Sequence, residues 1–193
     1  MARPTFTRWG AWVGGTALGW AVGWGVGSGL AGETFGGPVS AGVGGAVAGL
    51  AQGALLARFR YPWGSIWALV STGSVLVGVA VGLAVSGASG RLSPGVAGIP
   101  AVILLPVAGQ WWVLRKRVER AGWWPIAVLA SVVAGGAVVS AVRLGAGVPL
   151  GASGDPVLGI IGGALLGGVQ GAVNGAVLLR LLGQPGTGDR PRS

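Results

Sequence analysis

The sequence contains no cysteine and no histidine among its 193 residues. The missing cysteine excludes disulfide bonds and thiolate chemistry. Together the two absences remove the usual protein ligands of zinc, haem and iron–sulfur clusters. They also remove the side chain best suited to proton transfer near neutral pH. We therefore predict a protein that holds no metal and no other cofactor.

Charge is scarce and one-sided. Charged residues make up 9% of the chain, with 13 basic against 4 acidic residues, whereas hydrophobic residues make up 52%. Soluble domains carry about 25% charged residues, so a water-facing surface cannot be built from this composition. The mean hydropathy of +0.74 also excludes disorder. The 42 glycines suit membrane helices, in which small residues let backbones approach closely. We predict an integral membrane protein.

Six windows are apolar over about the 20 residues that a membrane-crossing helix needs. They comprise residues 9–31, 39–57, 66–87, 96–114, 124–142 and 157–179. We predict an all-α fold with six transmembrane helices, arranged as three hairpins. Pro100 and Pro106 interrupt the fourth window and predict a kink. The first window is longer than the apolar region of a signal peptide, so we expect a retained helix.

The distribution of positive charge predicts the orientation. Eleven of the thirteen basic residues flank the windows on one side, and only Arg91 and Arg143 lie on the other. This bias predicts a multi-pass protein of the bacterial cytoplasmic membrane with both termini in the cytoplasm. Tryptophan follows the same side, which predicts half of an aromatic belt at the membrane surface. The belt would comprise Trp9, Trp12, Trp63, Trp67, Trp111, Trp112, Trp123 and Trp124.

The three hairpins resemble one another in sequence. Their second helices end as Gln52-Gly-Ala-Leu-Leu-Ala-Arg58, Gln110-Trp-Trp-Val-Leu-Arg-Lys116 and Asn174-Gly-Ala-Val-Leu-Leu-Arg180. Each copy places a carboxamide six residues before a cation. We predict one membrane domain over residues 1–193. It would contain internal repeats at about 8–60, 61–120 and 121–182, followed by a flexible cytoplasmic tail at 183–193.

The stretch Gly-Gln-Trp-Trp-Val-Leu-Arg-Lys-Arg-Val-Glu-Arg-Ala-Gly-Trp-Trp at 109–124 carries a resemblance. It resembles uncharacterised bacterial membrane proteins, often cyanobacterial, with Trp/Gly-rich hairpins and a Gln-Trp-x-x-Leu-Arg motif. The middle copy matches best, because tryptophan is missing after Gln52 and Asn174 replaces glutamine. The resemblance implies repeated hairpins and adds no mechanism.

Glycine recurs every four residues in three windows, which gives each helix one face without side chains. Such small-xxx-small rows let helices associate in lipid through close backbone contact. We predict glycine-zipper packing, with spans one, two and six forming the tight centre. The expected packing positions are Gly15, Gly19, Gly23, Gly45, Gly49, Gly163, Gly167 and Gly171.

No acidic residue lies inside a predicted span, which argues against a proton-driven pump and against an acid–base enzyme. The polar side chains at membrane depth are Gln52, Gln110, Gln170 and Asn174, with scattered Ser and Thr. One interpretation is that the carboxamides link helices by hydrogen bonds. The other is a ring on a pseudo-threefold axis that binds water, a small neutral solute or a lipid headgroup. Trp20 and Trp24 either fill space against a glycine-rich helix or line a site for an apolar ligand.

Three functions fit these patterns, and none is enzymatic. We predict first a structural or accessory role in a membrane complex or in the bilayer. The alternatives are a passive channel for a small neutral solute and a protein that binds anionic lipids. Partners would be membrane lipids, other membrane proteins or a second copy, and no nucleic acid. The candidate headgroup contacts are Arg58, Arg60, Arg115, Lys116, Arg117 and Arg180.

Overall fold

The computed structural model describes residues 3–30, 32–89, 94–147 and 155–183, and across these ranges it contains helices and turns but no strand. The prediction of an all-helical chain is therefore confirmed. The predicted tail lies outside the described residues, apart from Gly183. The six helices are α1 (Arg3–Leu30), α2 (Gly32–Arg58), α3 (Gly64–Ser89), α4 (Pro94–Arg115), α5 (Trp123–Gly145) and α6 (Pro156–Leu182).

Among the described residues, four helices are long and apolar enough to cross a membrane. The qualifying segments are Ser40–Arg58, Gly64–Val85, Trp123–Gly145 and Pro156–Leu182. Large apolar side chains also cover the outside of the bundle. Leu69 is 74% exposed and Val133 is 73% exposed, although each lies within an apolar helix. Since water would disfavour such a surface and lipid would not, the fold indicates a membrane protein.

The helices form a ring. Each helix packs against the next one along the chain, and α6 returns to pack against α1. The contact between α1 and α6 is the most extensive, followed by that between α1 and α2. The contact between α4 and α5 is the smallest of the six around the ring. The short connections at 59–63 and 116–122 place the last turns of α2 and α4 at the same end of the bundle. We call this end, which carries Arg58, Arg115 and Arg180, the basic end.

Glycines allow α1 to approach both of its neighbours. A Cβ built at Gly19 would fall 2.6 Å from the Cα of Ala48 on α2. A Cβ at Gly167 of α6 would fall 2.7 Å from the carbonyl oxygen of Thr16 on α1. For each of the eight glycines predicted as packing positions, a Cβ built on that glycine would lie within 4 Å of an atom of a neighbouring helix. Helix α1 therefore makes close backbone contacts with both α2 and α6, and α2 approaches α3 as closely at Gly53 and Gly64.

Two residues terminate or start helices in specific ways. Arg60 follows α2 with a φ of 68°, and the Tyr61 amide donates to the Leu56 carbonyl at 2.9 Å. This is the left-handed turn that glycine usually supplies after a helix. Asp155 caps α6, since its Oδ1 accepts from the Val157 amide at 2.8 Å.

Two sequence expectations are wrong. The predicted windows 9–31 and 39–57 leave Glu33 in a loop between two spans, but α2 already begins at Gly32. The helix has 27 residues and a length of about 40 Å, so its first turns extend beyond the hydrocarbon thickness. Trp12, Trp63, Trp67 and Trp124 are not part of a lipid-facing belt, because all four are buried. Their indoles fill the inside of the bundle, whereas Trp112 and Trp123 are exposed.

Candidate functional site: a central cavity

The ring of helices encloses a cavity of about 290 Å³, and all six helices contribute to its lining. Most of the lining is apolar, and none of the described side chains that line it is charged. The four carboxamide residues predicted as a polar ring all face this cavity: Gln52, Gln110, Gln170 and Asn174. The structure therefore brings these four side chains to one compartment, although their role there stays a prediction.

Gln52 ties three helices together. Its Nε2 donates to the Thr16 hydroxyl on α1 at 3.1 Å, and its Oε1 accepts from the Trp67 Nε1 on α3 at 3.2 Å. The Thr16 hydroxyl in turn donates to the Trp12 carbonyl at 2.9 Å. All of these side chains are buried. Both polar atoms of this carboxamide therefore form hydrogen bonds that link α2 to its two neighbouring helices.

Gln110 makes the same pair of bonds one hairpin later. Its Nε2 donates to the Ser71 hydroxyl on α3 at 2.9 Å, and its Oε1 accepts from the Trp124 Nε1 on α5 at 3.1 Å. Each of these glutamines therefore accepts from an indole of the following helix and donates to a hydroxyl of the preceding one. Thr16 and Ser71, both buried, were not identified from the sequence. The available signal was a hydroxyl four residues after a tryptophan, in Trp12/Thr16 and Trp67/Ser71.

Asn174 breaks this pattern. The Oδ1 of Asn174 and the Nε1 of Trp12 are buried, and neither atom has a hydrogen-bond partner among the described residues. Trp12 nevertheless lies beside this site, since a Cβ at Gly175 would fall 2.8 Å from its Cδ1. Asparagine is one methylene shorter than glutamine. In addition, Val128 stands four residues after Trp124, where the other two networks have a hydroxyl. The third network is therefore incomplete.

Three indoles close the cavity toward the basic end. The ring centroids of Trp12 and Trp67 lie 6.1 Å apart, and those of Trp67 and Trp124 lie 5.3 Å apart. Both pairs meet edge to face, an arrangement that adds about 0.5–1.5 kcal/mol beyond the burial of the rings. We call Trp12, Trp67 and Trp124 the indole cluster. It packs directly beneath the carboxamides, because two of the three indoles donate to them.

Trp20 and Trp24 pack between helices and also face the cavity, and an apolar ligand beside them stays a prediction. The Trp20 indole packs on glycine, with its Cδ1 2.8 Å from a Cβ built at Gly167. Both indoles also line the cavity. The Trp24 Nε1 is buried without a partner in the described chain.

Five of the six cations predicted to contact headgroups are exposed. Arg58, Arg60, Arg115, Lys116 and Arg180 all reach solvent or headgroup space. The Lys116 ammonium lies 3.8 Å from the centroid of the Trp112 ring. Arg117 is different, because its guanidinium donates to the Val113 carbonyl at 2.6 Å and stacks over Trp63. Arg117 therefore packs on the turn and is the least available of the predicted headgroup contacts.

No protein-family model matches the chain, and neither the curated proteins nor the solved structures contain a match. The class of the protein consequently follows from its own fold. It is an all-helical membrane protein, built as a ring of helices around an apolar cavity with carboxamides at one end.

Proposed function

We propose that the chain is a non-enzymatic integral protein of a bacterial cytoplasmic membrane with a structural or accessory role. In this proposal all six helices span the bilayer, as three repeated hairpins joined by a glycine zipper. The single observation that carries it is the use of Gln52 and Gln110, whose polar atoms bond to neighbouring helices. Polar groups at membrane depth that hold helices together build a scaffold.

The repeat is supported by the two glutamine networks. The indole lies 15 residues after Gln52 and 14 residues after Gln110. The hydroxyl partner lies 36 and 39 residues before the two glutamines, respectively. Equivalent bonds at nearly equivalent separations are what a duplicated hairpin would retain.

The passive channel is the weaker proposal. A pore along the ring axis would pass the indole cluster, whose three side chains are buried and packed edge to face. Two of the four carboxamides, Gln52 and Gln110, could not line such a pore freely, because both of their polar atoms are bonded to neighbouring helices. Osmotic shrinkage of proteoliposomes in glycerol or urea tests this point. We expect rates equal to those of empty vesicles, and faster swelling would overturn the scaffold proposal in favour of a channel.

The cellular orientation has its own measurement. A fluorescent or phosphatase reporter fused after Ser193 should report a cytoplasmic C-terminus, because the basic end carries the excess of cations. If the reporter instead shows that the C-terminus lies on the external side of the membrane, the proposed topology is reversed.

Anionic-lipid binding is a second candidate, and Arg60 favours it. This arginine occupies a left-handed conformation with a φ of 68°, in a chain that uses glycine 42 times. A non-glycine residue there costs about 1 kcal/mol, so the retained cation suggests that its charge is used. Each juxtamembrane cation gains about 1 kcal/mol near anionic headgroups. Native mass spectrometry should detect phosphatidylglycerol retained by the wild type and reduced in Arg60→Gly, whereas equal retention would oppose this role.

A further inference from the structure

The ring is open on one side, and the cause lies in α4. Three glycines recur at the same distances from the carboxamide in α2 and in α6: one residue after it, three residues before it and seven residues before it. They are Gly53, Gly49 and Gly45 around Gln52, and Gly175, Gly171 and Gly167 around Asn174. These glycines face the following helix of the ring closely. Gly49 meets Ser71 of α3, and Gly171 meets Val13 of α1. The corresponding residues of α4 are Trp111, Val107 and Ile103.

Bulky side chains at these positions hold two helices apart. Glycine lets backbones touch, whereas ordinary side chains keep helix axes about 8–10 Å apart. The contact between α4 and α5 is accordingly much smaller than that between α2 and α3 or between α6 and α1. Ile103 and Val107 of α4 line the cavity, as do Val128 and Val132 of α5. The side of the ring with the fewest helix contacts therefore borders the cavity directly.

The cavity also contains polar atoms that the protein does not satisfy. Asn174 is 4% exposed and lines the cavity, and its Oδ1 has no partner in the described residues. Gln170 lies one turn away on the same face and forms no hydrogen bond to any described residue. A buried polar group without a partner costs about 1–3 kcal/mol, so a ligand that completes its bonding gains affinity.

We propose that the cavity binds a single-chain, lipid-soluble molecule with an uncharged hydroxyl group, which enters from the bilayer between α4 and α5. The apolar lining accommodates the chain, and the hydroxyl donates to the Asn174 Oδ1 and accepts from the Gln170 amide. A charged headgroup is disfavoured because no lining residue carries a counter-charge. The volume of about 290 Å³ lies at the lower limit of small-molecule sites, which excludes a two-chain phospholipid. This inference goes beyond the scaffold role and does not depend on it.

The experiment uses the full chain in lipid nanodiscs with a long-chain alcohol that carries a diazirine. After illumination, peptide mass spectrometry locates the adducts. We expect adducts on cavity-lining residues such as Ile103 and Val132, and an excess of the plain alcohol should suppress them. Adducts that are confined to lipid-facing residues such as Leu69, with no suppression, would overturn the proposal.

Two neighbouring valines provide a matched pair of variants. Val132→Phe fills the cavity at its α5 side and should weaken labelling about tenfold, as one misfit group does in an apolar pocket. Val133→Phe adds the same ring on the outside and should leave labelling unchanged. Asn174→Leu should weaken apparent binding about fivefold through loss of a hydrogen bond. Equal labelling of all three variants would overturn the site. If Val132→Phe fails to fold, the suppression of wild-type labelling by excess plain alcohol provides the test.

Discussion

The two sides of α1 and the gap between α4 and α5 show opposite solutions to packing helices in lipid. Around α1, glycines bring backbones into contact with α2 and α6. Between α4 and α5, Ile103 and Val107 take the place of glycine and contacts are few. The polar groups also differ. Gln52 is bonded on both polar atoms between tight helices, whereas Gln170 lines the cavity and makes no hydrogen bond to the described residues.

This difference indicates that cohesion and binding are separated within one ring. In lipid, helices gain little from burying apolar surface, so backbone proximity and interhelical hydrogen bonds must supply the attraction. Where both are present the bundle is closed. Between α4 and α5 the backbones are not close, and the Gln110–Trp124 bond links these helices without closing the space between them; we place the ligand there.

The largest expected effect comes from blocking the tight side. Gly167→Leu places a side chain where a Cβ already falls 2.7 Å from the Thr16 carbonyl oxygen, which is a backbone atom that cannot rotate away. We expect a loss of about 3 kcal/mol or more and failure to assemble. Fluorescence-detected size exclusion measures the outcome. Gly168→Leu is the control, because nothing lies within 4 Å of its Cβ, and a stable Gly167→Leu protein would contradict close packing.

A smaller effect is expected from the bonded glutamine. Gln52→Leu leaves the Trp67 indole without an acceptor and the Thr16 hydroxyl without one donor. We expect a loss of about 1–3 kcal/mol in unfolding by denaturing detergent. Gln170→Leu should cost nothing, because this glutamine makes no bond to the described residues. If the two variants lose the same stability, the distinction between bonded and unbonded carboxamides fails.

The smallest effect is a gain. Asn174→Gln adds the missing methylene beside Trp12 and should create the third indole-to-carboxamide bond, matching those of Trp67 and Trp124. We expect about 1 kcal/mol of added stability. The gain should disappear in the Trp12→Phe background, because that ring has no N–H. A gain that persists in that background would show that the new methylene acts by filling space.

Much of the fold was predictable because membrane solvation leaves its mark on local sequence. Apolar windows marked the helices, and glycine spacing marked faces that pack closely. The carboxamides were identified by their recurrence before a cation. The sequence did not predict which side chains contact one another inside the bundle. Nothing local distinguishes the buried Trp67 from the exposed Trp123, since both lie near a helix start beside cationic turns. The belt prediction failed for this reason.

By itself the sequence determined the helical class, the apolar windows and the excess of cations at one end, because these follow from hydration of backbone and charge. Only the tertiary structure decided that the ring encloses a cavity and that Gln52 and Gln110 are bonded while Asn174 is not. It also decided which indoles face inward. These outcomes depend on distances between residues far apart in the chain, and a single methylene at position 174 or a side chain at position 107 is enough to change them.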